Sequence, residues 1–574
     1  MNREPLATGG NKRQLAVTLL RRANAMLRLG AHTALPLPQQ APRSRKPLAS
    51  AFRLCATAAG DGEEEAQLQR HQRSLASLNP EQLAVVTADL RPLRVLAGPG
   101  SGKTRVLVTR VAHMILTQGV RPERILCVSF TNKAAQELQE RLRHQIGDAA
   151  NGITCGTFHN VCVRILRQHI GNMDCLQSSR FTIFDEEDAY HVMKDKWTEL
   201  SASMEESQEV VVGDEEKAWD AGHVSRLLSN GKNSIAGSQS ALRGAELWAK
   251  LVEEARIQYE ENRYEPQFVE AVDNYQRALE RFNALDFDDI LHFCIRLLNV
   301  SPNTRAALLH KWPHLLVDEF QDTNLAQYEL VKLLARPTSS GASVHKGRSV
   351  MVVGDLDQSI YGWRGGRVDI MRGRFMADFS DMAAHTLTLP SNYRSTPQIL
   401  AAADACLTPS PQRSELRVRP MLPAGQRISL WRCDTAELEA EAVADRVSRL
   451  LSGAETGKPV PPQEICILYR INRLYILFER CGGERRACEQ RADESPASIR
   501  ALLKRGIPYQ VVNGIPLLQR TEVKDLLAYL RVVANPLDEV AFIRIINTPK
   551  RGIGDKAEEH IWCAMMSPRR DSGI

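Results

Sequence analysis

Residues 93–104 read LRVLAGPGSGKT. The apolar run Leu93–Ala97 has the length and character of a buried strand. Gly98, Pro99, Gly100, Ser101 and Gly102 follow as a loop whose backbone N–H groups can cradle phosphates. Lys103 then reaches the β- and γ-phosphates, and the Thr104 hydroxyl is placed to ligate Mg²⁺. TRVLVTRVAHMI opens a helix directly afterwards, so strand, loop and helix come in the order a phosphate loop needs. Ala97 takes the first position, where glycine is usual.

Around this stretch the chain alternates short apolar strands with helical patterns. Strands are predicted at Leu93–Ala97, Ile125–Phe130, Ile153–Phe158, His314–Phe320, Ser349–Asp355 and His385–Leu389. That alternation predicts an α/β fold with a parallel, doubly wound sheet. About 155 residues separate the third strand from the fourth, too many for a loop. Most of them carry helical periodicity, which predicts a helical subdomain over 186–285 inserted into a sheet domain built from 78–185 and 286–390. Ser201–Gly213 is polar and acidic and reads as a loop within it. A second alternating block, 391–515, offers strands at Ile428–Cys433, Ile465–Arg470 and Ile507–Val512. Residues 516–574 turn helical again, and Asp61–Ser77 reads as a polar linker.

Several loops at predicted strand ends carry chemistry. HLLVDEF puts Asp318 and Glu319 at the end of a hydrophobic strand. The first carboxylate can hold Mg²⁺, and the second can polarise a water for in-line attack on a phosphate. VVGDLDQSIYGWRGG combines Gln358, suited to sensing a γ-phosphate, with Tyr361 and Trp363, suited to stacking bases. Phe130, Asn132, Thr157 and His159 follow strands two and three, on the edge where open α/β sheets bind ligands. Phe130 could stack a base and the other three could bond phosphates.

Together these segments resemble the UvrD/PcrA/Rep family of superfamily 1 DNA helicases, from Leu78 to about Lys556. LNPEQ (78–82) matches the family's Q motif, AGPGSGKTR motif I, VSFTNKAAQEL motif Ia and TFHNVCVRIL motif Ib. DFDDIL (286–291) precedes VDEFQDTN, which is motif II. GDLDQSIYGWRGG is motif III, with Leu356 where an aspartate is usual, and SNYRST (391–396) is motif IV. The resemblance implies that Gln82 reads adenine, that Tyr393 and Arg105 sandwich it, and that Arg394 touches the γ-phosphate. It implies tandem RecA-like domains with inserted helical subdomains and ATP in the cleft between them. It further implies Mg²⁺ as cofactor, single-stranded DNA and single–double-strand junctions as substrate, 3′-to-5′ movement and a role in repair or recombination with a repair-protein partner.

The chain departs from that pattern in two places. Arg480–Arg500 intervenes between YRINRLYILFE and ALLKRGIPY, and reads either as a surface loop or as a retained intron. The match fades after PKRGIGDKAEEH, and nothing here resembles motifs V and VI, so the second RecA-like domain and the second helical subdomain are expected to be truncated and turnover slow. A catalytically dead ATP- and DNA-binding regulator is the competing expectation, and the helicase part of a helicase–nuclease is another. Intact Lys103, Asp318, Glu319, Gln358 and Arg394 weigh against a deliberately dead site.

Charge is unevenly spread. Residues 1–60 hold ten Lys/Arg and one acid, a net +9 in a chain whose total is +6, so the remainder is net acidic. Nucleic-acid binding must therefore come from local grooves rather than from a global basic field. The Arg-rich, acid-poor leader has the composition of an organelle transit peptide, chloroplast or mitochondrial; a disordered basic tail and a nuclear address are the alternatives. Twelve scattered cysteines form no CxxC pair, which fits reduced thiols. No apolar run approaches the ~18 residues of a membrane span, so no membrane partner is expected.

Overall fold

The computed structural model describes residues 61–172, 178–206, 221–233, 266–337, 347–410, 413–468, 497–510 and 521–554, with isolated positions besides. The leader and residues 480–496 lie outside the described residues. Six parallel strands form the central sheet: β1 (Leu93–Ala97), β2 (Ile125–Ser129), β3 (Thr154–Thr157), β6 (His314–Val317), β7 (Ser349–Gly354) and β8 (His385–Leu389). Their spatial order is β3-β2-β6-β7-β1-β8. All six are strands expected from sequence: β1 and β8 have the expected bounds, β2, β3 and β7 lose one or two residues, and β6 ends three residues early, at Val317.

Strand register sorts side chains onto two buried faces. Leu93, Val95, Cys127, Leu316, Met351 and Val353 enter one core, under the helices Pro80–Thr87 (α2), Lys103–Leu116 (α3) and Asn132–Ile146 (α4). Leu126, Val128, Leu315, Val317, Val350 and Val352 enter the other, which continues into the helical insertion. β2, β6 and β7 are buried along their whole length, which is why they read as apolar runs rather than as alternating ones; β1 and the edge strand β8 alternate.

Local signals start the helices. Asn79 and Gln82 form a capping box at α2, and Thr131 and Thr157 cap α4 and the helix Phe158–His169 (α5). The insertion contributes Glu186–Glu206 (α6), Ala221–Asn233 (α7) and Pro266–Arg281 (α8), bracketed by a small parallel sheet of β4 (Thr182–Ile183) and β5 (Ala284–Leu285). Asp286, in a capping box with Asp289, then starts Phe287–Val300 (α9). Asn324 and Gln327 repeat that device at Leu325–Ala335 (α10).

Three expectations need correction. Asp61–Ser77 is not a linker, because Asp61–Ala76 (α1) is helical: Glu, Gln, Ala and Leu are strong helix formers, and His71 is buried beside His113 of α3. Of the loop expected at Ser201–Gly213, Ser201–Glu206 belong to α6; residues 207–213 lie outside the described residues. Ile428–Cys433 and Ile465–Leu468 form no strand, nor do Ile507–Gln510. Leu430 is 97% and Leu468 89% exposed. Their apolar pattern suits a buried strand, but a strand needs a neighbour to take its N–H and C=O groups, and none pairs with them among the described residues. Among the described residues of this block only β9 (Ser391–Asn392) and β10 (Arg419–Pro420) pair.

The helices Thr521–Ala534 (α11) and Glu539–Ile546 (α12) dock on the insertion. The Asn535 amide donates to the Phe282 carbonyl at 2.7 Å and to the Thr182 hydroxyl at 3.0 Å. Arg531 bridges Asp188 at 2.6 Å and buried Asp538 at 2.9 Å. Among the described residues no helix is long and apolar enough to cross a membrane.

Candidate active site

Because all six strands run the same way, the loops after them open on one edge of the sheet. β7 lies between β1 and β6, so the loop after β1 faces those after both. Gly100 and Gly102 have φ of +61° and +82°, left-handed values that glycine adopts without strain. Gly102 caps α3 with no side chain to serve the first-turn N–H groups, leaving the positive helix end for an anion. The loop, with Lys103 and Thr104 at the helix start, therefore fits a nucleotide phosphate.

Lys103 Nζ stands 3.7 Å from Glu319 Oε2 and 3.5 Å from Gln358 Oε1, so lysine, carboxylate and glutamine converge from three loops. Asp318 is buried at the end of β6 and accepts from the Glu319 N–H at 3.0 Å. Burial, then repulsion from Glu319, lifts the Asp318 carboxyl to about 6. Burial lifts Asp355 to about 6 as well, against the attraction of Lys103. A buried carboxylate beside a second one is a favourable place for a divalent cation, which reverses both effects. Thr104 and Asp318 are the residues here that would hold a divalent cation bound with a nucleotide.

Gln321 ties these parts together. Its Nε2 donates to Glu319 Oε2 at 2.9 Å, and its Oε1 accepts the Asp355 N–H at 3.0 Å. Asp355 Oδ2 in turn accepts from Gln358 Nε2 at 2.8 Å. A Cβ on Gly354 would come within 2.3 Å of Gln321 Oε1, so β7 must end in glycine for this bridge to form. Glu319 itself has φ +51°, a left-handed conformation that is uncommon for a non-glycine residue.

The segment after β8 wraps the phosphate loop. Asn392, buried, donates to the Pro99 carbonyl at 2.6 Å, and the Tyr393 N–H donates to the Gly100 carbonyl at 3.0 Å. Gln82 Nε2 donates to the Ser101 carbonyl at 2.9 Å. The Asn79 amide donates to the Tyr393 hydroxyl at 2.7 Å, and the Arg105 guanidinium donates to Ser77. Arg394 follows on this segment, exposed, with its backbone N–H held by Asn392 Oδ1 at 2.9 Å. Gln82, Arg105, Tyr393 and Arg394 are thereby gathered around the loop that begins at Ala97.

A second group lies along the same edge. Phe130 and Tyr361 pack with ring centroids 4.7 Å apart, Trp363 follows at 6.4 Å from Tyr361, and Arg364 lies over Trp363 at 4.6 Å. Trp363 is 70% exposed, so this is a surface platform and not core packing. Asp322 Oδ1 accepts the Ile360 N–H at 3.3 Å, which anchors the platform loop to the segment carrying Glu319. Asn132 is exposed at the first turn of α4. Thr157 is buried, and its hydroxyl accepts the Asn160 N–H at 3.3 Å. His159 meets the exposed Phe287 edge-on at 6.2 Å, and burial lowers its pKa to about 4, so it is neutral near pH 7. Sequence reasoning did not single out Gln321, Asn392 or Phe287. An aromatic directly after a helix cap is the one signal that could have marked Phe287.

Comparison with known proteins agrees with this geometry. The family description "UvrD/REP helicase N-terminal domain" matches residues 78–380, and "UvrD-like helicase C-terminal domain" matches 387–567. A protein of Mycobacterium tuberculosis named ATP-dependent DNA helicase UvrD1 is 35% identical over 485 residues, 84% of this chain and 56% of that protein. ATP-dependent DNA helicase PcrA of Staphylococcus epidermidis is 36% identical over 486 residues, 84% of this chain and 58% of that protein. The chain therefore spans somewhat over half the length of these relatives. With the phosphate loop, the strand-end carboxylates and the aromatic platform all inside the first matched region, the chain belongs to the UvrD/REP helicase family.

Proposed function

We propose that this chain is the ATP-hydrolysing, single-strand-gripping part of a DNA helicase of UvrD type. The observation that carries this is the convergence of Lys103, Glu319 and Gln358, with Gln358 only three residues from Tyr361 on a loop that continues into Trp363. One short loop thus touches both the nucleotide group and the platform.

In this reading ATP lies with its phosphates on residues 97–104 and its base between Arg105 and Tyr393, with Gln82 reading the adenine. Lys103 neutralises the β- and γ-phosphates, and Arg394 meets the γ-phosphate as hydrolysis proceeds. Arginines in that role are worth ~10³–10⁵ in rate in NTPases generally. Thr104 and Asp318 would hold Mg²⁺, which would supply charge neutralisation at the phosphates. Glu319 orients water and takes its proton. Loss of the γ-phosphate frees Gln358, and the shift of its loop changes the grip of Phe130, Tyr361 and Trp363 on stacked bases. Neutral His159, with Asn132 and Thr157, orients the strand without adding charge, and Phe287 extends the platform. Single-stranded DNA and its junctions with duplex are the substrate, 3′-to-5′ is the direction, and repair or recombination is the setting; family likeness supports these three. The basic leader supports import into an organelle, with the nucleus as alternative, which a fluorescent fusion of residues 1–60 would distinguish.

The test is strand displacement on duplexes bearing a 3′ or a 5′ single-stranded tail. ATP-dependent unwinding of the 3′-tailed substrate is expected. Unwinding of the 5′-tailed one alone would overturn the direction. Tight nucleotide and DNA binding with neither turnover nor unwinding would instead support the regulator.

A further inference from the structure

The insertion meets the nucleotide-site loops through a buried polar cluster that the proposed chemistry does not use. Lys232, in the last turn of α7, is fully buried, and its ammonium lies 2.7 Å from both Asp286 Oδ2 and Asp289 Oδ1. These two carboxylates form the capping box that starts α9. The Tyr275 hydroxyl donates to Asp286 at 2.9 Å and the Gln276 amide to Asp289 at 3.1 Å, so α8 closes the same cluster. A lysine buried among aspartates adds little net stability compared with an apolar packing, which directs attention to specificity.

The next residue makes the connection outward. Asn233 Nδ2 donates to Asp288 Oδ1 at 2.8 Å, and Asn233 Oδ1 accepts from Asn324 Nδ2 at 2.7 Å. Asn324 closes the segment that begins with Asp318 and Glu319. The Thr323 carbonyl beside it accepts the Arg367 N–H at 3.0 Å, just past the platform loop. A Cβ on Gly365, two residues from Trp363, would lie 3.7 Å from the Asn324 Cβ and 3.8 Å from that of Asn233. On the other side, Asp286 and Asp289 fix the first turn of α9, which carries exposed Phe287. One residue pair therefore touches the carboxylate segment, the Trp363 loop and the Phe287 turn.

We propose that Lys232 and Asn233 are positioning residues that couple nucleotide state to the grip on single-stranded DNA, by holding the Asp318–Asn324 segment in register with the aromatic platform. This rests on the function proposed above. Among the described residues the Asn233 side chain bonds to Ser229, Asp288 and Asn324, none of them in the phosphate loop or the platform rings, so its replacement leaves each ligand's own site standing.

The test uses the full chain. Affinity for a fluorescein-labelled oligothymidylate is measured with and without a saturating non-hydrolysable ATP analogue and Mg²⁺, and nucleotide affinity is measured separately. The wild type is expected to show a ratio of affinities in the range of about 5–150-fold typical of linked sites. Asn233→Ala should bring that ratio close to one while nucleotide affinity stays within about twofold. Asn324→Ala, which also removes the cap of α10, should do the same to the ratio, and the double variant should lose no more of the ratio than either single, because the Asn233–Asn324 bond is the link they share. Lys232→Met is a second, harsher variant, and Asn233→Ala decides should it fail to fold. A folded Asn233→Ala chain that keeps the wild-type ratio overturns the proposal. A wild type that binds both ligands with a ratio of one overturns it too, leaving the functional reading intact. A wild type that binds neither ligand overturns that reading itself.

Discussion

Replacing Gly100 by alanine tests the nucleotide site through backbone geometry alone. Gly100 has φ +61°, and an added Cβ would fall 2.6 Å from the Arg394 Cβ and 2.8 Å from Asn392 Nδ2. The left-handed conformation costs an L-residue ~1–2 kcal/mol. The overlap costs more, because a Cβ cannot rotate away as the end of a long side chain can; overpacking of this kind costs ~1–3 kcal/mol. Asn392 also holds the Pro99 carbonyl and the Arg394 N–H, so relief moves the phosphate loop or the arginine off its place. The combined penalty is about 2–5 kcal/mol, and returning the loop to place for binding lowers ATP affinity by roughly thirty-fold, with a ceiling of a few thousandfold. Titration with a fluorescent ATP analogue reads this directly. Gly119→Ala is the control: φ is +70°, nothing lies within 4 Å, and it is remote from the site. It should cost about 1 kcal/mol of stability with no change in affinity. Gly100→Ala binding within threefold of wild type, in a folded chain, would refute the placement of Arg394 and Asn392 against the loop.

Asp318→Asn should abolish turnover yet stabilise the ligand-free fold at pH 8. The folded carboxyl titrates near 6, above its unfolded value, so the folded state binds the extra proton between about pH 4 and 6 and stability falls as pH rises through that window. The gain at pH 8 is at most about 3 kcal/mol and vanishes at pH 4, as thermal melts at the two pH values would show; equal shifts at both would contradict it. Trp363→Ala should weaken single-strand binding by ~1–3 kcal/mol without lowering the melting temperature, since the ring is largely exposed; an unchanged affinity would remove it from the platform. Arg531→Ala leaves buried Asp538 and Asp188 facing each other unpaired, and should cost about 3 kcal/mol, read as early loss of hydrogen-exchange protection in α11 and α12; protection equal to wild type would argue that these helices are held by apolar packing.

How much of this was legible in the sequence divides along physical lines. The inner strands β2, β6 and β7 could be read because each is buried along its whole length and carries its own apolar run, ended by a loop with distinctive chemistry, whereas β1 and the edge strand β8 show through alternation. The convergence of Lys103 with Glu319 and Gln358 could be anticipated from motif chemistry, although residues 103 and 358 meet only through strand order. Gln321, Asn392 and Asn233 could not be found that way. Each is an ordinary amide in sequence and gains its role solely from which carbonyl or carboxylate the fold places opposite. The strands expected at Ile428–Cys433 and Ile465–Leu468 show the converse limit: an apolar pattern proposes a strand, but a partner decides whether it forms.

The most direct test of the central claim is ATP turnover by the full chain, with and without oligothymidylate, beside Lys103→Ala. Turnover that DNA stimulates and that disappears in the variant is the predicted result, because one loop carries both Gln358 and the platform. Turnover by wild type that DNA leaves unchanged, or that Lys103→Ala retains, would contradict the account.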